Sequence, residues 1–576
     1  MKSKIKLFNK AIFKSTLKLN MWVPILNFVL LFLMMLMPIM AQKMLLKYED
    51  QDYLGAVKNI INLSNGEFNI LVLLIIPVIL GAVVTRFMQN KLQNIHIHSM
   101  PIEKKQIYTT NVIAGFILLI IPIIINIFGM LLILGPSVFS QCGNEIVSWT
   151  YIAFSLEFLI FALTIMVGTL IGSSLMQTIF TYILLVFPVG IYMLIQSTLK
   201  IFIIGYAFKE SIVESSLAMK LSILPQTFMV ESSYLREKNM TENLYLIYIL
   251  VAIVITIISY FIYKARKVEK TGDIVVFRKL NPILKYGITF CFMIAIGMIV
   301  YAIFNESMTH MIVAYAVTSF VAYFLAEMLI RKSVRVLDSY KGYLVYVIVM
   351  LIIFAGIKMD ITGFENRVPN IGDISKVSYT LISDYSNNVE LTTQENKEAV
   401  LEIHNIILSE KAHSKMYSRG GSKNYFDIEY VLKNGRKMSR QYTLEYSSET
   451  QKEIETIEKV IFASEEYKKQ AYEVFDKENI NWIGITLYGE EIAHISKKEE
   501  IKELIDLMRK DTLLMIYEQR MKESQATEKI KFVNEILIEK HVEQNENYER
   551  STSLYYNDDF KNTKEWLIEH NYYPKS

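Results

Sequence analysis

Two cysteines, Cys142 and Cys291, in 576 residues are too few for a disulfide framework or a thiolate metal cluster. No GxxxxGK[ST] loop offers a cradle for nucleotide phosphates, and Gly420-Gly421-Ser422-Lys423 lacks its spacing. HExxH, GxSxG and CxxC are missing too, which removes zinc-protease, serine-hydrolase and dithiol signatures. His96 and His98 alternate ahead of Met100 without acidic partners, more like interface residues than metal ligands. Charge is scarce: 20% of residues are charged and 52% hydrophobic, too apolar for one soluble domain. We expect no catalytic residue, no resident cofactor or metal, and no nucleic-acid partner.

What charge there is lies unevenly. Residues 1–357 hold 29 Lys/Arg against 17 Asp/Glu, whereas 358–576 hold 31 against 40. The net +3 therefore hides a basic, apolar part and an acidic, soluble part. The expected fold is a polytopic α-helical membrane protein of about nine transmembrane helices with a C-terminal α+β domain outside the cytosol. We divide it into an interfacial helix at 1–20, a six-span core at 21–265, three more spans at 266–357 and the outer domain at 358–576.

Residues 1–20 carry six lysines and no acid. Ile5, Phe8, Ile12, Phe13 and Leu17 recur at helical spacing, giving an amphipathic helix that lies in the membrane interface. Met21–Met40 is long for a signal peptide and reads as an uncleaved first span. Apolar runs follow at 68–87, 112–134, 149–170, 179–195, 244–263, 286–304, 311–329 and 342–357, each near the length needed to cross the hydrocarbon. The connections 88–111, 264–285 and 330–341 are basic, whereas 41–67 and 205–243 are mixed or acidic. That alternation puts the N-terminus, 88–111, 171–178, 264–285 and 330–341 in the cytosol and everything after about Asp360 outside. The charge-free turn Gly172-Ser173-Ser174 leaves a re-entrant hairpin open.

In the outer domain, Thr392 with Glu395 and Ser496 with Glu499 resemble capping boxes. They open helices to about Lys411 and Lys510. Asn434-Gly435 predicts a hairpin between Asn424–Leu432 and Lys437–Glu445. Helix over Ser448–Phe475, strand over Ile483–Tyr488 and a last helix over Thr563–His570 complete the reading. Strand followed by capped helix occurs at 389–410 and again at 491–510, the pattern of an internal repeat. Glu453, Glu455 and Glu458 fit a solvated helix face.

The stretch Gln89–Gly115 stands out between two apolar runs. Lys91, Lys104 and Lys105 face one acid, Glu103, and Pro101 forbids helical geometry at Met100 while suiting the first turn of a new helix. Helix, break and helix make a rigid cytosolic handle; a basic loop that merely sets topology is the other reading. Glu157 lies well inside the fourth span. An intramembrane acid marks a translocation path or partner interface, or else a protonated or hydrogen-bonded core acid. Glu327, four residues before Arg331 near a span end, is explained by an ion pair.

Met100-Pro101-Ile102-Glu103-Lys104-Lys105 resembles the leucine-proline-aliphatic-Ser/Thr-basic pattern before the third span in ABC transporter permeases of the bacterial type 2 exporter family. Glu103 replaces the usual small hydroxyl. Tyr263-Lys264-Ala265-Arg266-Lys267-Val268-Glu269-Lys270-Thr271-Gly272-Asp273 and Phe277 are similar to the segment after the sixth span in Ytr-like permeases of low-GC Gram-positive bacteria. So is Asp360-Ile361-Thr362-Gly363-Phe364-Glu365-Asn366-Arg367-Val368-Pro369 at the start of the outer domain. The resemblance implies that His98, Met100, Pro101, Ile102, Lys104 and Lys105 couple to a cytosolic ABC ATPase dimer, which binds the ATP. It further implies a second permease, identical or a sister subunit, in the cell membrane, and peptide, antibiotic or lipid-like cargo. Glu157 is then the candidate point on the path. The alternative is a membrane sensor whose outer domain detects an envelope ligand and signals through the ATPase without transport.

Overall fold

The computed structural model of the chain describes residues 8–45, 51–61, 67–208, 217–223, 225, 243–380, 388–410, 424–444, 448–471, 480–487, 490–518, 528–534, 550–556 and 560–572. It divides into two compact units. The first comprises Met1–Thr198 and Lys209–Leu351, the second Leu199–Phe208 and Ile352–Ser576. The second unit thus takes in the connection after the fifth apolar run.

Among the described residues of the chain, nine helices are long and apolar enough to cross a membrane. The first is α2 (Trp22–Leu31), continued through a π-turn at Phe32–Leu36 into α3 (Met37–Leu45). The short α4 (Gln51–Ile61) leads to α5 (Glu67–Thr85), α6 (Lys91–Ser99) and the long α7 (Lys104–Gln141). α7 outruns the expected 112–134 because its polar first turns stay helical; non-helical Gly135 ahead of Pro136 breaks it near the expected far end. α8 (Gly143–Leu170) and α9 (Ser174–Phe202) have 28 and 29 residues, so each is long enough to span. The short α10 (Leu217–Leu221) precedes α11 (Leu244–Ala265). α12 (Asn281–Ile303), α13 (Met308–Arg331) and α14 (Tyr340–Lys358) follow. Glu327 makes the expected pair with Arg331 at 2.6 Å and a second with Lys285 at 3.0 Å.

α1 (Lys10–Asn20) is capped by Asn9, whose Oδ1 accepts from Ala11 and Ile12. The Asn9 amide donates to Thr110 Oγ1 at 3.0 Å, and Thr16 Oγ1 donates to Asn111 Oδ1 at 2.6 Å. Points about 10 Å apart along α1 therefore meet adjacent residues of α7. α1 runs across α7 rather than along it. Ile5 lies outside the described residues.

In the second unit β1 (Gly205–Tyr206), β2 (Ile374–Thr380), β3 (Asn388–Leu391), β4 (Asn424–Leu432) and β5 (Lys437–Leu444) form an antiparallel sheet ordered β1-β5-β4-β2-β3. α15 (Gln394–Glu410) lies between β3 and β4 in sequence, and α16 (Ser448–Ala463) follows β5. Helix does not run unbroken to Phe475: it stops at Ser464 and resumes as α17 (Glu465–Ala471), and residues 472–475 lie outside the described ones. β6 (Ile480–Leu487), β7 (Glu490–Ile495), β8 (Glu528–Asn534) and β9 (Arg550–Tyr556) form a second sheet ordered β7-β6-β8-β9. α18 (Lys498–Leu514) lies between β7 and β8, and α19 (Lys561–Glu569) follows β9.

The two sheets repeat one topology. Each module runs strand, strand, helix, strand, strand, helix, with its first strand pairing antiparallel to its second and third, and its third to its fourth. α15 and α18 are both 17 residues long, and the first strand bulges in both, at Ile374/Lys376 and Ile480/Trp482. The strand-and-helix recurrence expected at 389–410 and 491–510 is part of a whole-module duplication.

The expected capping boxes do not form. Thr392 and Thr393, ahead of α15, donate instead to Glu466 of α17, and α18 starts after Lys497 with no side-chain cap. Nor is the acidic face of α16 wholly solvated. Glu458 is fully buried and accepts from Tyr379 at 2.8 Å and Tyr517 at 2.6 Å.

Candidate functional site

Segments that connect the spans meet at one end of the first unit. Gly172 donates its amide to Asp273 O, and the Gly272 amide donates to Gly172 O, both at 2.9 Å. A side chain at Gly172 would begin 2.5 Å from that same Asp273 carbonyl, so the two backbones approach as only glycine permits. Asn94 Nδ2 donates to Thr271 Oγ1 at 2.5 Å, and Lys332 donates to Gly272 O. Residues from 88–111, 171–178, 264–285 and 330–341 thus share one end, as the loop-charge pattern requires. Away from it, Lys58 pairs with Glu145 at 3.1 Å, joining 41–67 to the start of α8.

Arg266 organises this end. Directly after α11 and 4% exposed, it donates through Nη1 to Gly168 O at 2.7 Å, Thr169 O at 3.2 Å and Ile171 O at 3.2 Å. Nη2 donates to Met88 O at 2.7 Å. The first three are carbonyls at the C-terminus of α8, left without intrahelical partners and at the negative end of the helix dipole. No carboxylate is needed, because the guanidinium fork answers orphan carbonyls. Burial pulls the Arg266 pKa down to about 10, opposed by neighbouring Tyr263, so it stays charged at neutral pH.

α6 is held on this platform by one face. Asn90 caps it, accepting from Leu92 and Gln93. Asn94 is buried on Thr271, and His98 bridges through Nδ1 to Asn94 O at 2.9 Å and through Nε2 to Tyr263 OH at 3.2 Å. Tyr263 in turn stacks on Tyr108 at 5.6 Å. Gln89, just before the cap, is bonded to Ser174 and Gln177 of α9. The other face is bare: Leu92 is 81% exposed and Ile95 61%, with His96 and Ser99 beside them at helical spacing.

Pro101 acts as expected on Met100, which is extended at φ −74 and ψ 150 and ends α6. It does not sit in the next helix, which starts at Lys104 after an extended Glu103. Of the residues assigned to coupling, His98 faces the platform and Ile102 packs against the core. Lys104 Nζ donates to Arg266 O at 2.9 Å, bracing the break. Met100 and Lys105 are half-buried, and Pro101 is exposed. The spacing of Leu92, Ile95, His96 and Ser99 is the signal that would have pointed to the outward face. Arg266 gave no signal beyond one more loop charge.

Glu157 lies away from this surface. Its Oε1 accepts from Asn27 Nδ2 at 3.3 Å, and Oε2 has no hydrogen-bond partner among the described residues. At 1% exposure it is buried among the described residues. A polar α8–α2 contact inside the apolar core is what it makes here.

A family model described as "Domain of unknown function (DUF6449)" matches residues 430–574. The match starts inside β4 and includes the whole second module of the duplication. No curated protein and no solved structure matches the chain.

Proposed function

We propose that the chain is the permease subunit of an ATP-binding-cassette transporter, moved by a separate cytosolic ATPase that docks on α6. The carrying observation is the two-sidedness of α6. Asn94, Ile97 and His98 fix one face to the platform, while Leu92 and Ile95 are presented to solvent on the other. A nine-residue helix is marginal alone in water, and these anchors give it a fixed pose. Rigid presentation of an apolar stripe suits insertion into a groove of a partner. In this reading the platform end faces the cytosol, the second unit lies outside, and a second permease, identical or a sister subunit, completes the path for peptide, antibiotic or lipid-like cargo.

The test is binding of the chain in lipid nanodiscs to the ABC-type ATPases of the source cell. Leu92→Glu with Ile95→Glu should weaken binding at least tenfold while leaving the elution profile of the permease unchanged. Equal binding by wild type and double variant, or no binding by either, overturns the proposal.

A further inference from the structure

Glu157 of α8 and Asn27 of α2 are both buried in the first unit, at 1% and 0% exposure. One bond joins them: Asn27 Nδ2 donates to Glu157 Oε1 at 3.3 Å. The second polar atom of each group, Asn27 Oδ1 and Glu157 Oε2, is buried without a partner among the described residues. Two planar groups thus meet through one pair of atoms and each leaves its other atom orphaned. As an amide and a carboxylate, both orphans are acceptors, and neither can answer the other.

A carboxylate at this depth would also need a cation beside it. None is within reach. Residues 22–36, 68–85, 106–141 and 244–263, which make up the spans α2, α5, α7 and α11, contain no charged residue, and their titratable groups are tyrosines. On α8 itself the other charged residue is Glu145, about 18 Å away along the helix and paired with Lys58. In the opposite direction Arg266 meets α8 at Gly168 O, about 16 Å along, where it is held by four carbonyls. Among the described residues of the first unit, the remaining buried charge is Glu327, an acid already paired with Lys285 and Arg331.

We infer that Glu157 is a carboxylic acid whose Oε2 proton is donated to Asn27 Oδ1, closing a two-bond acid–amide pair that locks α8 to α2. One proton turns an orphaned acceptor into a donor, satisfies both orphans together and removes the charge. In this form Glu157 presents no charge to a passing cargo or ion; it holds two spans together. The pairing lies wholly within the first unit and does not depend on what docks on α6.

Infrared spectra of the full chain in lipid nanodiscs at neutral pH test it. The wild type should show a carboxylic-acid C=O band that Glu157→Gln lacks and that stays in place when sodium is replaced by choline. Asn27→Leu should move that band to higher frequency as the bond is lost. Glutamine offers an N–H where the acid offers its O–H, so Glu157→Gln should keep the thermal midpoint of the wild type, whereas Glu157→Leu should lower it. A difference spectrum with carboxylate bands alone, an acid band that appears only without sodium, or one that Asn27→Leu leaves unmoved overturns the pairing. So does a Glu157→Gln chain that melts early or fails to accumulate.

Discussion

Replacing Arg266 by Gln removes the fork that joins α8, α11 and Met88, two residues before the cap of α6. Two of its four bonds, to Gly168 O and Met88 O, are 2.7 Å long, and two are 3.2 Å. Hydrogen bonds from a charged donor contribute about 1.5–3 kcal/mol each, and a buried carbonyl left unpaired costs about 1–3 kcal/mol. Against this, the variant no longer has to bury a guanidinium, which returns several kcal/mol. Glutamine can still reach one carbonyl. The balance leaves a loss of about 3 kcal/mol, or roughly a hundredfold rise in opening of the platform. Exchange should rise by about that factor in residues 88–99 and 168–173 and stay unchanged in α12 and α13. Arg266→Lys, with its charge kept but its fork lost, should fall between. A change under threefold in 88–99 for Arg266→Gln would show that α6 is fixed by its other contacts and that Arg266 is incidental.

Two further predictions concern the second unit. Glu466 accepts from Thr392, Asn396 and Thr393; burial pushes its carboxyl up, but those bonds outweigh it and hold the pKa at about 2. A depressed acid contributes stability above its unfolded value of about 4.3 that is lost as pH falls through about 2. Since this group is largely solvent-screened, Glu466→Gln should cost only about 1 kcal/mol, read as faster exchange at the start of α15. His404 is buried between Tyr430 OH at 3.0 Å and Tyr442 OH at 2.8 Å, and burial, helped by Arg440, pulls its pKa down to about 4. The neutral ring is the folded form, so its stability is whole above about pH 6.5 and lost as pH falls toward 4. Between pH 7.5 and 5 the second unit should lose about 2 kcal/mol, measured by exchange in β4 and β5 corrected for intrinsic rate. His404→Gln should flatten that dependence; an unchanged slope would refute it.

Elements whose cause is local were legible in the sequence. Apolar length located the nine helices, Asn434-Gly435 placed the hairpin, and Pro101 dictated the extended Met100. Interactions between distant residues were not. Thr392 and Glu395 satisfy the capping spacing, but Glu466, far along the chain, supplies the acceptor instead. Glu458 reads as one of several acids on α16 until two tyrosine hydroxyls converge on it. Arg266 binds carbonyls, which every residue carries, so no acidic partner betrayed its role. The duplication showed only in part because the modules share pairing and helix length more than side chains.

A connection that merely fixes topology needs positive charge and little else. α6 has more: a cap at Asn90, a buried amide at Asn94, a two-ended histidine bridge, and a neighbouring carbonyl held by Arg266. Its solvent face carries Leu92 and Ile95, each able to contribute about 1.5–3 kcal/mol if covered. Left in water, that apolar surface gains nothing and invites aggregation. Rigid anchorage combined with uncovered apolar side chains favours a surface built to be gripped over a loop built only to face the cytosol.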